Sequence, residues 1–503
     1  MKKRVYGSIA RKTVFMGISM TLMGSMLAAC SSGSDTSAEK RVLRIGFTYS
    51  NADNEQYLRQ QYTDSFELLH PELEIEVVGA INYDDMRYQD YTQEGYQQNQ
   101  PDPYEKLKEM LNGSNPVDVV VLDGGTSYLK RLVQDNMLKQ LDPVIQENEF
   151  DIEDYVPSVI EGIKDAGDGS IYALTPTFNS SALYYNKKMF ADAGIEVPTD
   201  NMTWDDVITL AKRIAKGNGQ ERTFGLQMSR WGGDAFNDMQ QYYLPALQLK
   251  MFDDNAEKMT VEGPGWEKVF TTMASLYKDK IVPSQQDIYP ENGGGVVNGK
   301  AVFNPFQGDL FLSNRVAMTL AGYDYVMELS RAKDQSAKNP QITAVDWGVV
   351  TMPQHAENPG IGSAITLTAP MAINAKAANP EDAWTFIEFN NSKEWAKLKS
   401  RSTYELIARK SMLKPREGQD YNIESFYTLK PVPPSTLDMD KLNREKPGIW
   451  EVQSFGQQAM MDVVQGKKTA ADALKEWQTK GDATLKKLKE NPTGGVTGDV
   501  YAQ

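Results

Sequence analysis

The side chains of this 503-residue chain that could do chemistry gather where apolar runs give way to short polar ones. Thr48-Tyr49-Ser50-Asn51 follows the run Val42 to Phe47, and Asp123-Gly124-Gly125-Thr126 follows Val117 to Leu122. Trp231 lies in Ser229-Arg230-Trp231-Gly232-Gly233-Asp234 after Phe224 to Met228, and Tyr323 follows Val316 to Leu320. An aromatic ring gives a flat apolar face, and adjacent carboxylates, amides and hydroxyls give hydrogen bonds. Loops at strand ends that combine the two suit a ligand carrying hydroxyls and apolar C–H faces, as a sugar does. With acids nearby they also suit a cationic amine through cation–π contact. The same residues have structural roles open to them: core packing for the rings, and helix or turn capping for Asp123.

Catalytic and metal chemistry find little material. The chain has two histidines, His70 before a proline and His355 in a polar stretch, and neither stands in a His-Glu-x-x-His pattern. The Gly-x-Ser-x-Gly nucleophile motif is absent. A glycan hydrolase, the competing class, needs two carboxylates at a set separation, but 68 acidic residues make such pairs uninformative. The acidic turn Asp165 to Ser170 lacks the glycine offset of a calcium loop. These residues imply no metal, no cofactor and no catalytic group. A single cysteine excludes a disulfide framework.

That cysteine, Cys30, ends a secretory pattern. Lys2, Lys3, Arg4, Arg11 and Lys12 are followed by an uncharged apolar run from Val14 to Leu27 and then by Leu27-Ala28-Ala29-Cys30. The run is shorter than the roughly 20 apolar residues of a membrane span. Leu-Ala-Ala-Cys resembles the bacterial lipoprotein signal, in which the cysteine is diacylated and becomes the new N-terminus. Residues 1–29 then form the signal, and 30–40 the lipidated cysteine with a flexible tether. Two acyl chains hold a protein on a membrane stably. The formal net charge is −15, and loss of 1–29 removes five positive charges and no negative ones, leaving about −20. Nucleic acid is thereby disfavoured as a partner.

The positioning elements follow from periodicity. Val42 to Phe47 reads as a buried strand. Leu58, Tyr62, Phe66 and Leu69 lie at helical spacing before His70-Pro71, and Leu73, Ile75 and Val77 alternate with glutamates. Strand–helix–strand predicts a parallel α/β unit. Leu129, Leu132 and Val133 share a helix face, and Thr203-Trp204-Asp205-Asp206, Asn379-Pro380-Glu381-Asp382 and Thr469 read as helix starts. Asp84 to Asp102, rich in Tyr, Gln and Asp, reads as a polar surface insertion. About 470 mature residues exceed what one core usually supports, so two lobes are expected.

Gly169 to Pro176, Ala182 to Lys187, Phe190, Ala193-Gly194-Ile195, Pro198 and Thr203 to Asp206 together resemble the central signature of extracellular solute-binding proteins of the maltose-binding type, the substrate-binding components of ABC importers. Asn314 to Gly322, Trp347 to Pro353, Gly362 to Ile373 and Gly466 to Trp477 continue the resemblance in order. It implies two α/β lobes, 41–177 with 367–405 and 178–366 with 406–503, each a sheet flanked by helices. Crossings near Thr177 to Asn179, Thr366 to Thr368 and Tyr404 to Ser411 would act as the hinge. It further implies ring-stacking roles for Tyr323 and Trp450, and cleft positions for Asn179 and for Ser363 within Gly362-Ser363-Ala364. Tyr49, Asp123, Asn179, Trp231, Tyr323, Ser363 and Trp450 are therefore the expected ligand residues. The implied protein is a monomer on the outer face of the bacterial cytoplasmic membrane that passes a sugar to membrane permease subunits. A cationic amine is the alternative ligand, and sensing an alternative role. A uronate oligomer would need basic loop residues, for which Arg230 is the candidate.

Overall fold

The computed structural model describes residues 40–88, 101–123, 126–289, 296–297, 300–301, 305–306, 308–362, 365–400, 404–433 and 439–491. Cys30 and Ser363 lie outside these residues. Two large sheets and one small one organise the chain. The first contains β1 (Arg41–Ser50), β2 (Leu73–Asn82), β3 (Val119–Val121), β4 (Ala173–Leu174) and a late strand, β13 (Met371–Ile373), in the order β2-β1-β3-β13-β4. β1 runs parallel to β2 and β3, as the strand–helix–strand pattern requires, and β13 is antiparallel to β3 and β4.

The connection from β1 to β2 departs from regular helix. Ala52–Leu58 and Asp64–Leu69 are α-helical, but Arg59–Thr63 winds as a π-helix. Leu58 and Phe66 are buried, whereas Leu69, in the last turn before His70, is exposed. Leu69 therefore does not belong to the apolar face its spacing suggested.

The small sheet contains β5 (Thr177–Asn179). The second large sheet contains β6 (Ser181–Asn186), β7 (Phe224–Gln227) and, after a two-residue hairpin pair β8 (Val296–Val297) and β9 (Lys300–Ala301), β10 (Val316–Gly322) and β11 (Trp347–Val350), in the order β11-β6-β10-β7. Its two faces bury different residues, as a strand's period of two demands: Ala182 and Tyr184 on one side, Leu183 on the other. Helices Trp204–Ile214, Pro264–Lys278, Trp450–Val464 and Ala470–Glu490 cover the Leu183 face. Thr203 and Asp206 form a reciprocal capping box at the first of these. Thr469 accepts from the Asp472 N–H at 3.1 Å at the last. Asn379 is not a side-chain cap: its amide donates to the Val42 carbonyl at 3.0 Å, and the helix Pro380–Asn390 begins at the proline.

The small sheet joins the large ones. β12 (Thr366–Leu367) and β14 (Leu406–Ile407) pair antiparallel with the two sides of β5. Residues 408–412 then pack beside the first sheet's helices: Val156 N–H donates to Ala408 O at 2.9 Å, and Arg409 Nε to Asn391 O at 2.7 Å.

Asp238 is a buried acid within the second lobe, 2% exposed. It accepts a hydrogen bond from the Tyr277 hydroxyl at 2.5 Å. Burial pushes its pKa from 3.8 up to about 7 against the opposing pull of that hydroxyl, with Asp234 adding repulsion. The native state thus holds a proton that the unfolded chain releases above its own pKa near 3.8. This contribution to stability is complete below that value and is lost as pH rises through about 7. Asp238→Asn keeps an acceptor for Tyr277 but cannot ionise. The melting temperature of the wild type should fall relative to this variant as pH rises from about 5 to about 8. Parallel curves would show that Asp238 ionises as in the unfolded chain.

Candidate ligand-binding cleft

Strand register sets where Tyr49 and Tyr323, two of the expected ligand residues, emerge. β1 and β2 end together at Tyr49 to Ser50 and Ile81 to Asn82, because they are parallel and in register. In an open α/β sheet the carboxyl ends of parallel strands are where ligands sit. In the second sheet Gly322, the last residue of β10, pairs with Ser181, the first of β6. Tyr323 and Ser180 therefore emerge side by side, with the Tyr323 N–H donating to Ser180 O at 2.9 Å.

The crossing sheet is tied by a cluster of side chains, one from each crossing. The Thr177 hydroxyl donates to Glu405 Oε2 at 2.5 Å. Thr368 Oγ1 lies 2.7 Å from Thr177 Oγ1 and 3.2 Å from Glu405 Oε2. Thr177 is buried and its carbonyl also accepts from Thr175 at 2.8 Å. The burial of Tyr62 raises its phenol pKa, and the nearby charges of Glu405 and Asp123 raise it further.

Beside this sheet lies a cavity of about 390 Å³. Its aromatic wall is Tyr242, Tyr323 and Tyr404; Asn179, Gln241 and Thr366 supply amides and a hydroxyl, and Asp324 a carboxylate. Among the described residues no lysine, arginine or histidine lines it. Tyr323 is half-buried, its ring edge-on to Phe426 at 5.4 Å and beside the Arg416 guanidinium at 5.4 Å. Tyr404 is 61% exposed.

The other expected residues are distributed more widely. Tyr49 lines a separate cavity of about 330 Å³ that also meets Asn443 and Arg444. Asp123, half-buried at the end of β3, has its carboxyl pKa raised by burial, and its N–H lies 3.5 Å from the Thr48 hydroxyl. Trp231 and Trp450 are 60% and 49% exposed and line neither cavity. Arg230 is committed: its guanidinium pairs with buried Asp309 at 3.1 Å and lies 4.0 Å over the Tyr325 ring. A larger cavity of about 620 Å³ lies outside the edge strand β2 and holds none of these residues.

Tyr83, Gln241, Tyr242, Asp324 and Tyr404 were missed in the sequence. Tyr242 sits in a π-helical segment, Met239–Tyr243, whose altered winding hides it from a 3.6-residue count. Tyr83 opens the short helix Tyr83–Arg87, and Asp102 caps the helix Pro103–Asn112. The ends of the segment read as a surface insertion are thus parts of the fold.

The histidines serve structure. His355 is buried, its Nε2 2.6 Å from Tyr243 O, and burial lowers its pKa. His70 stacks on Phe66 at 4.3 Å. Among the described residues no group of three His, Cys, Asp or Glu could hold a metal ion. No described helix is long and apolar enough to cross a membrane.

Two α/β lobes joined by paired crossing strands, with polar and aromatic side chains converging beside the crossings, define a binding protein of the two-lobe type. The chain belongs to the family of bacterial extracellular solute-binding proteins, whose model matches residues 72–397. A binding protein of Brucella abortus is 25% identical over 390 residues, covering 76% of this chain and 83% of the relative. Among solved structures, a sugar transporter of Rhizobium etli in an open conformation superposes with TM-score 0.58 at 18% identity, covering 88% of this chain and 99% of that one. The sugar-binding protein MalE of Xanthomonas citri does so with TM-score 0.56 at 18% identity, covering 89% and 98%.

The crossing cluster generates an expectation. Glu405→Ala takes the carboxylate acceptor from the Thr177 hydroxyl, while Thr368 keeps the Thr177 carbonyl at 3.0 Å, and should lower unfolding stability by about 1–3 kcal/mol in urea denaturation. Glu405→Gln, which keeps an acceptor oxygen, should lose less. Equal losses would show that the acceptor is not what matters.

Proposed function

We propose that this protein is the substrate-binding lipoprotein of an ABC importer. It captures a carbohydrate between its lobes and delivers it to membrane permease subunits. The family supports solute binding without turnover, and the likeness to the Rhizobium sugar transporter and the Xanthomonas sugar-binding protein supports a sugar. The observation that carries the sugar reading is the lining of the cavity beside the crossings. Three tyrosines, amides, hydroxyls and one carboxylate offer apolar ring faces and hydrogen bonds, with no basic side chain among the described lining residues. Arg230, the basic candidate for an anionic sugar, is already paired with Asp309.

Tyr323, Asn179 and Asp324 are the residues we assign to ligand contact in this cavity. Asp123, Trp231, Trp450 and Ser363 are proposed to complete the cleft surface as it closes. The crossings at 177–179, 366–367 and 406–407 are the proposed hinge, dividing lobe 1 (41–177, 367–405) from lobe 2 (178–366, 406–503). A ligand that touches both lobes binds the closed conformer better and so shifts the population towards it. Diacylated Cys30 would hold the mature protein on the outer face of the cytoplasmic membrane, with the residues to 40 as tether.

Thermal unfolding of residues 31–503 against mono- and oligosaccharides, polyamines and quaternary amines tests the ligand. A saccharide at 100 times its Kd adds about 2.7 kcal/mol to stability. The account expects a shift with one saccharide group and recovery of that saccharide unchanged. A shift with amines alone would replace the sugar, and turnover would replace binding by catalysis. Tyr323→Ala should weaken the saccharide about tenfold or more with folding intact. Cys30→Ser in the full-length precursor should release the protein from the membrane fraction into the soluble one; retention on the membrane would contradict the lipid anchor.

A further inference from the structure

We propose that Asp238 is a positioning residue for ligand capture: its protonated carboxyl, held by Tyr277, fixes the turn that carries Gln241 and Tyr242 into the cavity beside the crossings, and ligand affinity falls when that proton is lost. This rests on the sugar reading above and adds to it a proton linked to binding.

The turn is held at both ends. Gln241 and Tyr242 reach the cavity of about 390 Å³ from the π-helical segment Met239–Tyr243. Isolated π-turns of this kind recur at functional sites. Asp238 immediately precedes the segment, one turn before Tyr242, and accepts from the Tyr277 hydroxyl at 2.5 Å. Tyr277 is a fixed post. It belongs to the helix Pro264–Lys278, whose Trp266 and Phe270 rings lie 5.6 and 5.7 Å from the ring of buried Trp477. At the other end, the Tyr243 carbonyl lies 2.6 Å from His355 Nε2. The two cavity-lining residues therefore stand between an acid–phenol tie and a carbonyl–imidazole tie.

Among the described residues, no cation compensates a charge on Asp238. The Gly233 backbone closes on the carboxyl so tightly that a Cβ there would lie 2.3 Å from Oδ1. Asp234, on the same turn, adds a like charge. The helix Trp450–Val464 packs on this turn with Gln457, whose amide donates to Asp234 Oδ2 at 3.1 Å. Charges on the adjoining segments pair with one another, Lys280 with Asp287 at 3.2 Å and Lys268 with Glu357 at 2.8 Å. Burial lowers the pKa of His355, which is neutral at pH 7 and above. Deprotonated Asp238 is thus a buried anion without a partner charge, a costly state unless the group reaches water. Carrying it to water disturbs the turn that follows.

Tyr242 is close enough to sense the same carboxyl: burial raises its phenol pKa, and a charge on Asp238 raises it further. A ligand seated on Tyr242 excludes water from this region and so favours the neutral acid. Burial places the Asp238 pKa at about 7. The protonated fraction then falls from about nine-tenths at pH 6 to about one-tenth at pH 8, and apparent affinity falls with it about tenfold.

The test is calorimetric titration of residues 31–503 at pH 6 and pH 8 with glucose, maltose, cellobiose, xylobiose and mannobiose, none of which titrates in that range. A saccharide that binds should bind about tenfold more weakly at pH 8. Asp238→Asn, which cannot ionise, should bind equally at both pH values. Asp238→Ala, which loses the tie to Tyr277, should bind more weakly than Asp238→Asn at pH 6. Tyr277→Phe removes a hydroxyl that lowers the pKa of the acid, so the fall in affinity should move to higher pH. Hydrogen exchange of the free protein reads the same turn without ligand. Corrected for intrinsic rates, protection of residues 239–243 should drop from pH 6 to pH 8 in the wild type and not in Asp238→Asn. Equal wild-type affinity at both pH values, or a fall that persists in Asp238→Asn, would overturn the proposal and leave sugar capture standing. Binding of none of these saccharides, with the exchange difference present, would overturn sugar capture and keep the positioning role. Equal protection at pH 6 and pH 8 in the wild type would overturn that role itself.

Discussion

The architecture depends on a small polar constraint: the carboxylate of Glu405 held by the hydroxyls of Thr177 and Thr368, one residue from each of three chain crossings. Strands two or three residues long cannot hold themselves together by ladder hydrogen bonds alone. Side-chain bonds between them fix their register and keep buried hydroxyls satisfied where the backbone leaves one lobe for the other. The two large sheets hang from this junction. Their placement sets which strand ends meet, and so which side chains share the cleft.

The cleft is selective chiefly by what it has already spent. Arg230 is paired with Asp309 and Arg444 with Asp102, while the Arg416 guanidinium lies 5.4 Å from the Tyr323 ring. What lines the cavity beside the crossings is tyrosine faces, amides, hydroxyls and the carboxylate of Asp324. Such a surface is the basis of the proposed neutral polyol ligand. The acidic balance of the whole chain could not have established this, because net charge does not report which charges are internally compensated.

Much of the fold was legible because it is written in local periodicity. The alternation of Leu73, Ile75 and Val77 and the caps at Thr203 and Thr469 each depend on neighbours within a few residues. Legibility failed where distant contacts or unusual winding decided the outcome. Asn379 gives its amide to Val42, 337 residues away, and so cannot cap its own helix. Tyr242 is carried by a π-turn, and Leu69 is left exposed at the last turn of a helix that contains another. In the cleft, the strand-end rule singled out Tyr323 and Tyr49 and would equally have reached Tyr83, the residue after β2, whereas Tyr404 and Arg444 come from segments that follow no such strand end. Trp231 and Trp450 stood out as aromatics in loops, but a loop position does not say which cavity a ring meets.

The central claim is that ligand acts by closing two lobes about the crossing sheet. The most direct test measures the distance between spin labels at exposed Glu109, on the helix Pro103–Asn112, and exposed Lys441, on the helix Met439–Glu445, one in each proposed lobe, in the mature chain lacking Cys30. The account predicts a distribution with a longer, open component without ligand that collapses to a single shorter distance when the binding saccharide is added. A saccharide that binds tightly and leaves the distribution unchanged would contradict it.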